Sequence, residues 1–110
     1  MVIRSSPFGG KTRTAVLMAL RLLSESYARE LARVLGTPLS GTQKALQRLE
    51  LDGLVAGRAM GRTKLYRINP RYFAYRELEQ FLLRLSEPEE SLRVRIESMR
   101  RRPRRTVKPL

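Results

Sequence analysis

The stretch ARELARVLGTPLSGTQKALQRLELDG, residues 28–53, decides the fold. From Ala28 to Leu35 it turns Leu31, Val34 and Leu35 inward at helical spacing and leaves Arg29, Glu30 and Arg33 outward. Gly36 stands where a helix C-terminus favours a residue tolerant of positive φ. Thr37-Pro38 then reads as an N-cap followed by proline at the first helical position. Leu39, Thr42, Leu46 and Leu49 recur at three- and four-residue intervals, which carries the second helix to about Asp52, where Gly53 stops it. Two helices joined by a short glycine-containing turn form the helix-turn-helix pattern.

Upstream, Val16, Leu17, Leu20 and Leu23 predict a helix from about Lys11 to Leu23 with one buried face, which Ser24-Glu25-Ser26 ends. Residues 1–10 close on Ser5-Ser6-Pro7-Phe8-Gly9-Gly10 and read as a lead-in loop. Gly10-Lys11-Thr12 matches the end of a phosphate-binding loop. Ser5 occupies the position of the earlier glycine, however, and no apolar strand precedes it, so a helix N-terminus is the better reading. Downstream, Leu54–Ala59 and Lys64–Ile68 flank Met60-Gly61-Arg62-Thr63, a β-hairpin pattern. In the second strand Tyr66 and Ile68 share a face expected to pack on the helices, and Leu65 and Arg67 share the other. Asn69 as N-cap and Pro70 at the first position open a helix to about Leu85. Ser86 and Glu89 offer a capping box for a last short helix with Leu92, Ile96 and Met99 as its apolar stripe. The expected fold is mainly α with a small β-hairpin wing: a lead-in over 1–10, a winged helix-turn-helix domain over 11–69, C-terminal helices over 70–99 and a basic tail over 100–110.

Composition points to a partner class. The 110 residues suit one domain, and 42% apolar content opposes wholesale disorder. Twenty-three Lys and Arg against ten Asp and Glu give a net charge of +13, which calls for a polyanion: nucleic acid or an anionic membrane surface. The chain has no cysteine and no histidine, so disulfides, thiolate metal sites, thiol nucleophiles and the commonest general base are all missing. Asp52 is the single aspartate and the glutamates are scattered, so no enzyme and no cofactor are expected. No apolar run reaches the roughly 18 residues of a membrane span. Arg21 interrupts the apolar stretch Ala15–Leu23, which therefore suits an amphipathic helix better than a secretory signal, and a cytoplasmic location is expected.

With its core face inward, the helix over 39–52 leaves Ser40, Gly41, Gln43, Lys44, Gln47 and Arg48 to solvent, without an acid among them. An ordinary solvated face mixes both signs. The second helix of a helix-turn-helix lies in the DNA major groove. There Gln pairs bidentately with adenine, and Lys or Arg with guanine. Gly41 would let the backbone approach closely. The hairpin adds Arg58, Arg62, Lys64 and Arg67. Cations around its turn can straddle phosphates or enter the minor groove, or they can merely protect an edge ribbon from aggregation.

The run Tyr27-Ala28-Arg29-Glu30-Leu31-Ala32, continuing through Leu46-x-x-Leu49-x-x-x-Gly53-Leu54-Val55 to Gly61-Arg62-x-x-x-Tyr66-Arg67-Ile68-Asn69-Pro70, resembles the winged helix-turn-helix regulators of the ArsR-like group. The resemblance covers about residues 11 to 85. It implies a homodimer, a recognition helix over 39–52, a DNA-touching wing and terminal helices at the dimer interface. Metal-sensing members use cysteine and histidine ligands, and with neither residue here that part of the family pattern fails.

Dimerisation has independent support. Tyr72, Phe73, Tyr75 and Phe81 are four of the seven aromatic residues in the chain. With Leu78, Leu82, Leu83 and Leu85 they cover more than one face of the expected 70–85 helix, and extra apolar surface marks an interface unless the chain's own core absorbs it. The interface candidates are Tyr72, Phe73, Tyr75, Leu78, Phe81, Leu82 and Leu85. The tail Arg100-Arg101-Arg102-Pro103-Arg104-Arg105, whose proline and charge density oppose a helix, reads most economically as an auxiliary DNA arm; a membrane-surface patch and a solubilising terminus are the alternatives. A sequence-specific regulator of double-stranded DNA is the expected function. A non-specific coating protein and a protein- or RNA-binding winged helix are its rivals. A small-molecule effector is not legible in the sequence.

Overall fold

The computed structural model describes residues 3–101. They form α1 (Lys11–Leu23), β1 (Ser26–Tyr27), α2 (Ala28–Leu35), α3 (Leu39–Leu51), β2 (Val55–Met60), β3 (Thr63–Ile68), α4 (Tyr75–Ser86) and α5 (Glu90–Arg101). The expected mainly α chain with a hairpin wing is what folds.

α1 is the centre of the molecule. Every residue from Thr14 to Leu20 is buried, where the sequence predicts one buried face. A helix apolar all round is a core helix, and α2, α3, α4, α5 and β3 all pack on this one. Thr14 keeps its hydroxyl satisfied by donating to the Gly10 carbonyl at 3.0 Å. The lead-in contributes too: Ile3 is buried, and the Phe8 ring lies 5.9 Å from that of Phe81 on α4.

Both helices of the turn end as their glycines require. Gly36 takes the left-handed conformation, with Gly36 N–H donating to the Arg33 carbonyl and Thr37 N–H to that of Ala32. This is the Schellman pattern. α3 ends the same way at Gly53, φ 81°, through bonds from Gly53 to Glu50 and from Leu54 to Leu49. The start of α3 is shifted by one residue from expectation. Pro38 holds an extended backbone as the cap residue, and the Thr37 hydroxyl bonds that of buried Thr42 at 2.8 Å.

The sheet has the order β1-β3-β2, antiparallel throughout. β2 and β3 are joined by Gly61 and Arg62, with Gly61 at φ 64°. Positive φ at the first of two loop positions matches the strand twist, which is why glycine sits there. β1 was not anticipated from the sequence; it pairs Ser26 with Tyr66 and Tyr27 with Leu65.

The C-terminal helices depart from expectation at three points. The first does not start at Pro70 but at Tyr75, because Asn69 is otherwise engaged: its amide donates to the Gly53 carbonyl at 2.9 Å and its side-chain oxygen accepts from Arg71 N–H at 3.0 Å. Residues 70–74 form turns. Nor does the Ser86–Glu89 capping box form. Ser86 is the last residue of α4, its hydroxyl donating to the Leu83 carbonyl, and the Glu89 carboxylate accepts from the backbone N–H of Arg4 at 2.9 Å. α5 does bury Leu92 and Ile96 with Met99 half-buried, against α1 and α2. Helix continues through Arg100 and Arg101, where the sequence argued against one, and the Arg100 guanidinium donates to the Leu22 carbonyl. The rest of the expected basic arm, residues 102–110, lies outside the described residues. Among the described residues no helix is long and apolar enough to cross a membrane.

Candidate nucleic-acid interface

α3 buries Thr42, Ala45, Leu46 and Leu49 against the core. The opposite side presents Ser40, Gln43, Lys44, Gln47 and Arg48 to solvent, with Gly41 half-buried between them. A side chain at Gly41 would meet nothing within 4 Å, so nothing inside the protein demands glycine there. Sequence reasoning left Leu51 off this face. It is 80% exposed, and its spacing from Lys44, Gln47 and Arg48 puts it on the same stripe.

The strand register divides the wing cations between two faces. Val55, Gly57 and Ala59 pair with Ile68, Tyr66 and Lys64, and these six residues share the face turned toward the helices. Ala56, Arg58 and Met60 pair with Arg67, Leu65 and Thr63 on the outer face. Arg58 and Lys64 therefore point to opposite sides of the ribbon. Leu65 is buried although it shares the outer face with Arg67; Tyr27 of β1 pairs with it there.

Acids hold three of the candidate cations. Lys64 Nζ donates to both carboxylate oxygens of Glu50, at 3.0 and 3.2 Å. This bond is the main reason the Lys64 ammonium is held above its ordinary pKa, outweighing the lowering effect of burial. Arg58 lies 3.8 Å from Glu25, and Arg48 pairs with Asp52 at 3.5 Å. Arg62 at the wing tip and Lys44 on α3 are exposed and make no ion pair among the described residues.

The candidate dimer surface splits. Leu78 and Leu82 are buried in the chain's own core, which removes them from any free interface. Their four-residue spacing turns them onto α1. Tyr72, Tyr75 and Leu85 are half-buried against that core. Partial burial raises the Tyr75 hydroxyl above its ordinary pKa, and a hydrogen bond with Glu79 adds to the effect. Phe73 is 91% exposed, its ring 4.9 Å from that of Tyr72, and Phe81 and Leu83 are more than two-fifths exposed. No cluster of carboxylates among the described residues could hold a metal ion.

No protein-family model and no curated protein sequence matches the chain. Solved structures do match. The AntR antimony-specific transcriptional repressor superposes with a TM-score of 0.58 at 26% identity, over 74% of this chain and 73% of its own. The adhesin competence repressor AdcR of Streptococcus pyogenes gives 0.57 at 18% identity, over 86% and 68%. A single-substitution variant of Lactococcus lactis ZitR gives 0.59 at 18% identity, over 94% and 69%. The chain has the winged helix-turn-helix fold of these repressors.

Proposed function

We propose that this chain is a sequence-specific, double-stranded DNA-binding transcriptional regulator that works as a homodimer in the cytoplasm. One observation carries the reading: α3 offers solvent a stripe of two glutamines and two cations beside a wing tipped by Arg62, on a scaffold shared with transcriptional repressors. In the helix-turn-helix arrangement the second helix enters the major groove. Gln43 and Gln47 are suited to adenine, and Lys44 and Arg48 to guanine. Arg62, with Arg58 nearby on the outer face, is the wing's contact to phosphate or the minor groove. Residues 11–69 are then the DNA-binding part, and the ArsR-like placement follows from the run ending in Tyr66-Arg67-Ile68-Asn69-Pro70.

The dimer reading rests on the surface that the core leaves uncovered. Phe73 is exposed just before α4 and Phe81 and Leu83 are exposed along it, while Tyr72, Tyr75 and Leu85 in the same segment are half-buried. One recognition helix covers only a few base pairs, so a two-fold pair doubles the readout. Half-site centres are expected about 10 bp apart or at a multiple of a helical turn.

A coating protein needs only cations, and a net charge of +13 would serve one well. The glutamines are what favour base readout. Recovery of bound fragments from genomic DNA, followed by footprinting at physiological salt, tests the reading. Discrete protected inverted repeats are expected. Uniform protection would mean a coating protein, and no duplex binding would leave a protein or RNA partner.

A further inference from the structure

The bond between Lys64 and Glu50 joins two elements that the DNA-binding reading treats as separate contacts. Glu50 lies near the C-terminal end of α3 and Lys64 lies on β3, 14 positions further along the chain. Three features fix the lysine. Its ammonium is held by both oxygens of the carboxylate. It sits 5.5 Å from the centroid of the Tyr66 ring, within cation–π range. Its stem fills space that Gly57 leaves open, since a Cβ at Gly57 would lie 2.9 Å from Lys64 Cε. Arg62, two residues earlier, has none of these restraints.

We propose that Glu50 is a specificity-determining positioning residue: it ties Lys64 to α3, fixing the wing against the recognition helix and withholding that cation from DNA phosphates. The inference rests on the DNA-binding reading above and removes Lys64 from the hairpin cations expected from the sequence to meet phosphate, because it then serves geometry. Non-specific binding scales with the number of cations that release counterions from DNA. A lysine already paired with a carboxylate adds little to that number, and the carboxylate repels phosphate. Glu50 thus weakens binding to every duplex. The tie also holds the wing at one distance from the base-reading face, which benefits only the complex in correct register.

The test is equilibrium binding over a salt series, to a random-sequence duplex and to the footprinted preferred site. Wild type is compared with Glu50→Gln, Lys64→Gln, the double variant and Arg62→Gln. Freeing Lys64 by Glu50→Gln should steepen the slope of log affinity against log salt by about one unit. It should also raise random-duplex affinity several-fold and narrow the ratio of preferred to random binding. Lys64→Gln alone should leave the slope unchanged, the double variant should match it, and Arg62→Gln should flatten the slope by about one unit. A Lys64→Gln variant that flattens the slope places Lys64 on phosphate and overturns the inference, as does a Glu50→Gln slope equal to wild type. Wild type that binds neither duplex overturns the DNA-binding reading itself, and the inference with it.

Discussion

The side-chain amide of Asn69 donates to the backbone carbonyl of Gly53 across 2.9 Å, and Asn69 N–H donates to the Leu54 carbonyl at the same distance. The residue that leaves the wing is thereby bonded to the glycine that ends α3. The root of the hairpin is closed by these two bonds, and its position relative to α3 is set there as much as at the Lys64–Glu50 tie. Replacing Asn69 by alanine leaves the half-buried Gly53 carbonyl without its donor, at a cost of about 1–3 kcal/mol. Thermal unfolding should show Tm falling by roughly 4–8 °C for each kcal/mol lost in a domain of this size. An unchanged Tm would mean that solvent replaces the bond.

Gly57 should tolerate no side chain. An added Cβ would lie 2.9 Å from Lys64 Cε, 3.0 Å from Tyr66 Cε1 and 3.1 Å from Tyr66 Cδ1. The lysine stem can swing aside, but the Tyr66 ring is buried and has little room to move. Gly57→Val is expected to cost about 1–3 kcal/mol, the usual penalty for overpacking. Denaturant titration measures it. A variant as stable as wild type would show that the ribbon yields at this position.

Gln43 and Gln47 are expected to read bases. Alanine at either should cost about 1–3 kcal/mol on the preferred site and much less on random DNA. Parallel titrations of the two duplexes separate readout from charge, since neither substitution changes net charge. Equal weakening on both DNAs would remove base readout from this helix.

Phe73→Asp and Phe81→Asp address the dimer. Each puts a carboxylate at an exposed aromatic position, one just before α4 and one on it, and each is expected to give a monomer with sharply reduced affinity for the inverted repeat. Phe81 also packs on Phe8, so its variant loses some stability, whereas Phe73 touches chiefly Tyr72 and makes the cleaner test. Sedimentation of wild type decides the matter most directly. A monomer well above its DNA dissociation constant, bound one to one on an asymmetric site, would sink the dimer while sparing the fold.

What could be read from the sequence follows from how local each signal is. α1, α2 and the hairpin turn are announced by apolar periodicity and by Gly36, Gly53 and Gly61, whose backbone needs are satisfied within a few residues. Asn69-Pro70 misled because asparagine before proline serves a tight turn as well as a helix start, and only the distant Gly53 carbonyl decides between them. Periodicity marked the 70–85 region as apolar but cannot say which face meets α1; Leu78 and Leu82 went inward, leaving Phe73 and Phe81. On the candidate site, the polar face of α3 was legible because its core face was. The pairing of Lys64 with Glu50, and the opposite orientations of Lys64 and Arg58, depend on strand register and on how the wing leans, which composition does not encode.

The two-residue strand β1 has a consequence for the order in which the molecule assembles. β2 and β3 meet across a two-residue loop and can zip locally, in about 1–10 μs for an isolated hairpin. The Ser26–Tyr66 pairing encloses α2, α3 and β2 entirely, so it can close only after the segment between has been drawn together and its loop-closure entropy met. The wing thus has a fast-forming tip and a late-forming root. Amide exchange pulsed during refolding should record this as protection appearing first in the β2–β3 hairpin and only later at the Ser26–Tyr66 and Tyr27–Leu65 pairing.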